Sequence, residues 1–246
     1  MKTGLCVSLG ILVVCVIATD AAAGKKSAEP KRDSQMLVEP AQLQKKLDHT
    51  TLRILDVRSM EEYSKGHIPG AVRVDVGDWK TLAIADGGLH DVKGWAEKLA
   101  PLGITSKSHV VVHGGRLTDA ARIWWLLKYV GVENASLRNG SWESWAKSGR
   151  PAETSTPMVV KTEFTPKFQA DRLEEIDSLK KSLKSDKIKV VDARSDREFA
   201  GGRISGSAHL EWKELLAEDG RFKTKKQLQQ LLRRQGIMPD ETAVCY

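Results

Sequence analysis

The sequence is poor in cysteine, which occurs only at Cys6, Cys15 and Cys245 among 246 residues. Three cysteines fall far short of the dense, even set that marks a disulfide-stabilised scaffold. The spacings typical of metal ligands, CxxC and HExxH, are missing as well. We therefore expect neither a bound metal nor any other cofactor.

Proline is also scarce, with 8 residues, and glycine, with 20, is not enriched, while hydrophobic residues make up 41% and charged residues 29% of the chain. This composition excludes collagen-like, low-complexity and wholly disordered proteins. The length suits two domains of ordinary size. The net charge of +7 is spread along the chain, and the Lys-Lys pairs are interpreted as solvated helix faces, so we expect no nucleic-acid partner.

Residues 1–23 have the pattern of a secretory signal peptide. Lys2 gives a positive start, an apolar run extends from Leu5 to Ala18, and three alanines close the segment. A membrane anchor is the alternative, but it requires about 20 apolar residues, more than this run supplies. We expect a flexible lead-in over 24–35, export to a periplasmic or secreted location, and no stable membrane anchor. Cleavage leaves only Cys245, which excludes an intramolecular disulfide.

Strand-like and helix-like segments alternate from Met36 onward. Apolar runs at 52–57 and 110–113 predict buried parallel strands. Two segments carry a capping residue at one end and a glycine at the other, and both are predicted to be helices: from Thr118 or Asp119 to Gly131, and from Thr224 to Gly236. Strands that alternate with helices predict an α/β fold with a central, mainly parallel sheet flanked by helices.

The most informative feature is an internal repeat. The segment DVRSMEEYSKGHIPGAVRVD at 56–75 aligns without a gap with DARSDREFAGGRISGSAHLE at 192–211, and seven of the 20 positions are identical. A spacing of 136 residues is far too long for a solenoid unit. The repeat therefore indicates a duplicated domain. We predict a first domain over 36–150, a linker over 151–170 and a second domain over 171–246.

The two copies differ in length beyond the strand ends that match in the alignment, His113 and Tyr246. The first copy runs on to position 150, whereas the second has no counterpart of that stretch. A central strand without the helix that follows it leaves a sheet face bare. We therefore expect the second domain to be incomplete and the sequence to be a fragment or a truncated product of a longer protein.

Four segments carry a resemblance to a known family: LDVRSMEEYSKGHIPGAV (55–72), ARIWWLLKYVGVENASLRNGSWESWAKSG (121–149), VVDARSDREFAGGRISGSAH (190–209) and EDGRFKTKKQL (218–228). The chain resembles the rhodanese family, specifically the two-domain thiosulfate or 3-mercaptopyruvate sulfurtransferases, over roughly residues 36–246. The resemblance implies two rhodanese-like domains. It also implies transfer of sulfane sulfur from thiosulfate or 3-mercaptopyruvate, both small anions, to cyanide or a thiol through a cysteine persulfide.

In that family the nucleophilic cysteine follows a strand of the C-terminal domain, at the start of a loop that leads into a helix. Converging backbone N–H groups in such a loop stabilise a thiolate and its persulfide. The resemblance therefore implies a nucleophile directly after Tyr246, no catalytic residue within the 246 residues, and an inactive chain. Cys245 is the alternative, but the repeat pairs it with Val112, which favours a strand residue. The first copy has the cysteine-free loop GGRLTDAAR (114–122) and is expected to be non-catalytic.

An anionic donor requires a cation. The resemblance implies that Arg194, followed by Arg197 and Arg203, binds the substrate, because a guanidinium recognises an oxyanion through two hydrogen bonds. Asp192, at a strand end, is expected to support the loop by accepting backbone N–H bonds. The alternative for Arg194 is a structural ion pair with Asp192 or Glu198, as its counterpart Arg58 is expected to make in the inactive copy.

Two other functions remain open from the sequence. One is a non-catalytic binding or sulfur-relay module that lost its active loop. The other is a phosphatase, since related folds carry cysteine loops lengthened to fit phosphate, although the tandem arrangement argues against it. In either case we expect a monomer.

Overall fold

The computed structural model describes residues 36–183, 188–239 and 241–246. These residues form two compact units: the first holds 36–173 with Asp219–Arg221, and the second holds Glu174–Glu218 with Phe222–Tyr246. The signal peptide and lead-in predicted for 1–23 and 24–35 lie outside the described residues.

Five parallel strands form the sheet of the first unit, in the order β1-β5-β4-β2-β3. They are β1 Leu37–Val38, β2 Leu52–Asp56, β3 Ala71–Arg73, β4 His109–His113 and β5 Ala135–Arg138. Strands β2 and β4 are neighbours inside the sheet and pair in register, ending with Asp56 beside His113. The two apolar runs thus form buried strands, as their sequence predicted.

Helices cover the sheet of the first unit. They are α1 Pro40–Gln44, α2 Met60–Ser64, α3 Val76–Ile84, α4 Val92–Leu99, α5 Leu117–Tyr129 and α6 Trp142–Lys147. Leu43 of α1 and Trp145 of α6 pack in one core cluster with Ile54 and Val111 of the central strands. Helix α5 packs against β4 and β5, and its Trp124 donates a hydrogen bond from Nε1 to the carbonyl oxygen of Ala135 at 2.9 Å.

Helix α5 begins earlier than the sequence predicted. Its N-cap is Arg116, with extended backbone angles (φ −74°, ψ 142°), and not Thr118 or Asp119. The reason is the preceding turn: Gly114 and Gly115 have φ of +90° and +57°, a region that glycine adopts without strain, so the turn is complete before Arg116. The predicted end is confirmed, because Gly131 follows the C-cap with φ of +96°.

The second unit has a sheet of three parallel strands among the described residues, in the order β7-β6-β8. Its elements are α7 Ile176–Ser182, β6 Ile188–Asp192, α8 Asp196–Gly201, β7 Ala208–His209, α9 Lys225–Arg234 and β8 Thr242–Cys245. The hydroxyl of Thr224 caps α9 by accepting from the N–H of Gln227, which confirms the predicted helix. Leu228, Leu231 and Leu232 of α9 pack on the core around Val191.

The predicted fold class is confirmed, since both units are α/β with parallel central sheets flanked by helices. None of the helices in the described ranges has the length and apolar character needed to cross a membrane.

A core truncation tests the packing of the first unit. Leu55 of β2 is fully buried, so Leu55→Ala should lower the free energy of unfolding by about 2–5 kcal/mol through lost burial and the cavity left behind. Tryptophan fluorescence during denaturation is the measurement, because six of the seven tryptophans lie in this unit and only Trp212 lies in the other. The control is Met158→Ala, at a side chain that is 98% exposed, where no measurable loss is expected.

Candidate functional site

The candidate site of the second unit lies at the carboxyl end of β6, where a carboxylate and a guanidinium pair. Asp192 is fully buried and accepts hydrogen bonds from the backbone N–H of Arg194 at 3.0 Å, from its Nε at 2.9 Å and from its Nη2 at 2.6 Å. The same Nη2 donates to the carbonyl oxygen of Gly202 at 2.7 Å. Ser195 and Glu198 then form a capping box that starts α8. The ion pair therefore bridges the two ends of α8.

The first unit repeats this arrangement at the carboxyl end of β2. Asp56 accepts from the backbone N–H of Arg58 at 3.0 Å and from its Nη2 at 2.6 Å, and this Nη2 also donates to the carbonyl oxygen of Gly66 at 2.8 Å. Ser59 and Glu62 form the matching capping box of α2. The internal repeat is thus preserved in its hydrogen bonds as well as in its residues.

Exposure distinguishes the two arginines. The side chain of Arg58 is only 3% exposed, and its Cζ lies 4.2 Å from the ring centroid of Trp142. The side chain of Arg194 is 23% exposed. Arg194 makes the ion pair with Asp192 that one interpretation predicted, whereas Glu198 is engaged in the capping box. Its partial exposure is compatible with a second contact to a ligand, so its role in substrate binding stays a prediction.

The ion pairs also set the charge of both aspartates. Burial alone would raise the pKa of Asp192, but the hydrogen bonds from the side chain and backbone of Arg194 outweigh it and hold the pKa below its ordinary value. For Asp56 burial is again opposed, here by the neighbouring His113 and by the hydrogen bonds from Arg58, and the pKa is lowered. Both carboxylates are therefore ionised at neutral pH.

Cys245 lies within β8 and packs against the core of the second unit. In the sheet it pairs with Val191, just as Val112 pairs with Leu55 in the first unit. The strand registers therefore make Cys245 the counterpart of an apolar strand residue, in agreement with the repeat in the sequence.

Tyr246 is the counterpart of His113. The N–H of Ala193 donates to the carbonyl oxygen of Tyr246 at 3.0 Å, and the N–H of Val57 donates to that of His113 at 3.0 Å. In the first unit the next residue is Gly114, which opens the turn before α5. A residue after Tyr246 corresponds to this turn position, and the assignment of the nucleophile to it stays a prediction.

The other two arginines of the repeat differ from Arg194. Arg197 is exposed on α8 and has no ion-pair partner in the part of the chain that the structure describes. The Cζ of Arg203 lies 4.5 Å from the ring centroid of Phe199. At the equivalent position of the first unit, the ring of His67 stacks on that of Tyr63, with 3.9 Å between the ring centroids. Arg203 thus takes the packing position of His67, whereas Arg197 is available to a ligand.

His209 is a site residue that the sequence reasoning missed. Its Nε2 lies 3.0 Å from the carbonyl oxygen of Arg194, and since a carbonyl only accepts, this nitrogen carries the proton. In the first unit Nε of Arg73 donates to the carbonyl oxygen of Arg58 at 3.1 Å. The repeat aligns Arg73 with His209. Because both side chains can donate a hydrogen bond, this alignment could have identified His209 as a site residue.

The family model described as the rhodanese-like domain matches residues 39–148 and 175–246. Among curated proteins, the sulfur carrier protein TtuD of Thermus thermophilus is 28% identical over 86% of this chain and 82% of its own length. The thiosulfate sulfurtransferase of Cricetulus griseus is 26% identical over 72% of this chain and 68% of its own length.

Among solved structures, the 3-mercaptopyruvate sulfotransferase SseA of Escherichia coli superposes with a TM-score of 0.72. The match covers 86% of this chain and 88% of SseA, at 24% sequence identity. At this identity the likeness shows a common fold.

The ion pair of the second unit predicts an acid-dependent stability. Since Asp192 has a lowered pKa in the folded state, its stabilisation is fully present above the unfolded value of about 3.9 and is lost as the pH falls through the folded pKa. Asp192→Asn should lower the free energy of unfolding by about 1–3 kcal/mol at neutral pH and should flatten the dependence of Tm on pH between about 2 and 5.

Asp219→Asn is the matched control. Asp219 pairs with Arg221 at the same spacing as Asp192 with Arg194, but both partners are about half exposed, at 51% and 53%, and such pairs contribute little. If Tm depended on pH in the same way in the two variants, the buried Asp192 would contribute no more to stability than an exposed aspartate, and the prediction would be wrong.

Proposed function

Since the chain belongs to the rhodanese family, whose curated members compared above include sulfurtransferases, we propose that it moves sulfane sulfur from thiosulfate or 3-mercaptopyruvate to cyanide or a thiol. The observation that supports this most strongly is the Asp192–Arg194 pair, which holds a partly exposed guanidinium at the carboxyl edge of β6. Ligands of parallel α/β sheets bind at this edge.

The proposed reaction passes through a cysteine persulfide. A thiolate attacks the outer sulfur of thiosulfate, a bond forms between the two sulfurs, and sulfite leaves with the electron pair of the broken S–S bond. The carbon of cyanide then attacks the outer persulfide sulfur, thiocyanate departs, and the thiolate is restored. No proton or oxidant is consumed in either step.

The nucleophile in this proposal is a cysteine directly after Tyr246. The equivalent position in the first unit is Gly114, at the turn that leads into the N-terminus of α5. Backbone N–H groups at such a turn, together with the helix dipole, stabilise a thiolate and lower its pKa. On this proposal the 246 residues alone do not transfer sulfur, and Cys245 serves as a strand residue.

Arg194, with Arg197, is proposed to hold the anionic donor. A guanidinium fixed by one carboxylate keeps N–H groups that can reach a second anion, and Asp192 fixes Arg194 through both Nε and Nη2. The first unit, whose loop carries glycine in place of cysteine, is proposed to be non-catalytic. We further propose an exported, monomeric protein whose signal peptide ends at residue 23.

A non-catalytic module for sulfur relay or binding is the second candidate. It is favoured by the 28% identity to a protein named as a sulfur carrier. A relay protein accepts and donates persulfide sulfur without a preferred small-molecule acceptor, so turnover with cyanide separates the two candidates.

Sulfur transfer should depend on the residue after Tyr246 and not on Cys245. A longer version of the chain with cysteine at that position should form thiocyanate from thiosulfate and cyanide, and Cys245→Ser in it should retain that activity. Replacing the following cysteine by serine should abolish it. Thiocyanate that is formed by the 246-residue chain and lost in Cys245→Ser would overturn the assignment.

Arg194→Gln in the longer chain should lower kcat/KM for thiosulfate about 10- to 100-fold, chiefly through KM, because one charge-assisted contact to the donor is lost. Arg233→Gln, at an exposed position in the last turn of α9, is the control and should leave the steady-state parameters unchanged. If Arg194 serves only as a partner for Asp192, its replacement should lower Tm and leave KM unaltered.

A further inference from the structure

A buried guanidinium in the first unit makes no hydrogen bond to the residues that the structure describes. Arg138, the last residue of β5, is 3% exposed, and its Nε, Nη1 and Nη2 all lack a hydrogen-bond partner among the described residues. A buried charge without compensation is strongly destabilising, and native proteins satisfy nearly all of their buried polar groups. Such an arginine therefore points to a ligand.

The strand register places Arg138 at the carboxyl edge of the sheet. Asp56 pairs with His113 across β2 and β4, and the pairing of Val112 with Leu137 sets His113 beside Arg138. Paired residues of parallel strands point to the same face. The carboxyl edge of the first sheet thus carries a row of three residues, Asp56, His113 and Arg138. The candidate site of the second unit lies at the same edge of its own sheet.

Together with Arg58, the row carries one net positive charge. Asp56 is already paired with Arg58 through Nε and Nη2. Burial lowers the pKa of His113 to about 3 and that of Arg138 to about 10, so at neutral pH the histidine is neutral and the arginine is charged. The remaining charged groups that act on Arg138 are Glu143, which is exposed, and Arg150, which is of the same sign.

An open pocket of about 300 Å³ adjoins this row. Its lining combines the loop after β2, the loop before α5 and the start of α6: Val57, Arg58, Ser59, Glu62, Gly115, Arg116, Asp119, Trp142 and Glu143. Two of these residues, Arg58 and Glu143, are also electrostatic neighbours of Arg138. The Cζ of Arg138 lies 5.9 Å from the ring centroid of Trp145, in the helix whose first residues line the pocket. Arg138 itself does not line the pocket, and these shared neighbours are what connects the two.

The backbone around the pocket is suited to an anion. The turn at Gly114 and Gly115, with φ of +90° and +57°, leads into α5, a helix of 13 residues. A Cβ on Gly114 would lie 2.6 Å from Oδ1 of Asp56, so in the first unit a side chain at this position would require Asp56 to shift. The positive end of the α5 dipole faces the same edge as Arg138.

We propose that the first unit binds a small inorganic oxyanion of the size of sulfate, held by the guanidinium of Arg138 at the carboxyl edge beneath the pocket. The planar guanidinium offers parallel N–H groups that match two oxyanion oxygens. This site is distinct from that of the proposed reaction, since it belongs to the copy whose loop has no cysteine.

Isothermal titration of the full chain with sulfate, at constant ionic strength in acetate-free chloride buffer, tests the proposal. The titration is done in the Arg194→Gln background, so that the proposed donor site of the second unit does not contribute. Arg138→Met should raise Kd at least about tenfold through loss of the charge-assisted bonds. Lys93→Met is the control, since Lys93 is 86% exposed on α4 and belongs neither to the pocket lining nor to the charges that act on Arg138; Kd should change less than about twofold.

A second variant and a localisation make the test independent of the folding of Arg138→Met. Glu143→Gln removes an exposed carboxylate from the lining and should lower Kd for sulfate, because it removes repulsion. Crystals soaked in selenate should show an anomalous selenium peak within hydrogen-bond distance of the Arg138 guanidinium. An unchanged Kd in folded Arg138→Met, an unchanged Kd in Glu143→Gln, or selenium only at the second unit overturns the proposal.

Discussion

Each unit depends on one interaction, the pairing of an aspartate at a strand end with the arginine two residues later. In both copies the carboxylate accepts the arginine N–H and its guanidinium, and the guanidinium reaches the carbonyl oxygen eight residues on, at Gly66 or Gly202. One buried charge therefore fixes the turn, the start of the following helix and its end. Removing either arginine leaves a buried carboxylate unpaired, which is far more costly than the loss of a surface ion pair.

The two copies use this shared frame differently because of the side chains placed around it. In the first unit Trp142 packs against Arg58, and the Arg58 side chain is only 3% exposed. In the second unit Arg194 is partly exposed. Its carbonyl oxygen accepts a hydrogen bond from His209, whereas the carbonyl oxygen of Arg58 accepts one from Arg73. The duplicated fold thus gives the two arginines different exposure without any change in the hydrogen bonds between the aspartate and the backbone of the turn.

The carboxyl edge of the first sheet has kept polar groups that its packing does not need. An apolar residue at the position of Arg138 would fill the core without the cost of burying a charge. The retention of a guanidinium beside a neutral His113, next to a pocket and a glycine turn, is explained physically by an anion that occupies the edge. Both units then present cations at the same end of their sheets.

Much of this was accessible from the sequence alone. The alternation of strand-like and helix-like segments predicted the parallel α/β fold, and the ungapped repeat predicted equivalent turns at Asp56 and Asp192. The repeat also predicted that Cys245 is a strand residue, because aligned residues of a repeat occupy equivalent positions in their strands. The sequence placed the start of α5 too late, because the two glycines complete the turn before the polar residues that resembled N-caps.

Only the tertiary structure decided the remainder. Whether an arginine is closed off or exposed depends on residues far away in sequence, such as Trp142 over Arg58, 84 positions later. The isolation of Arg138 likewise arises from the order β5-β4-β2, which sets it beside His113 and beyond the reach of the carboxylate already taken by Arg58. Local patterns determine the elements and the turns, because those depend on neighbours along the chain. Burial and charge compensation depend on neighbours across the sheet, which only folding brings together.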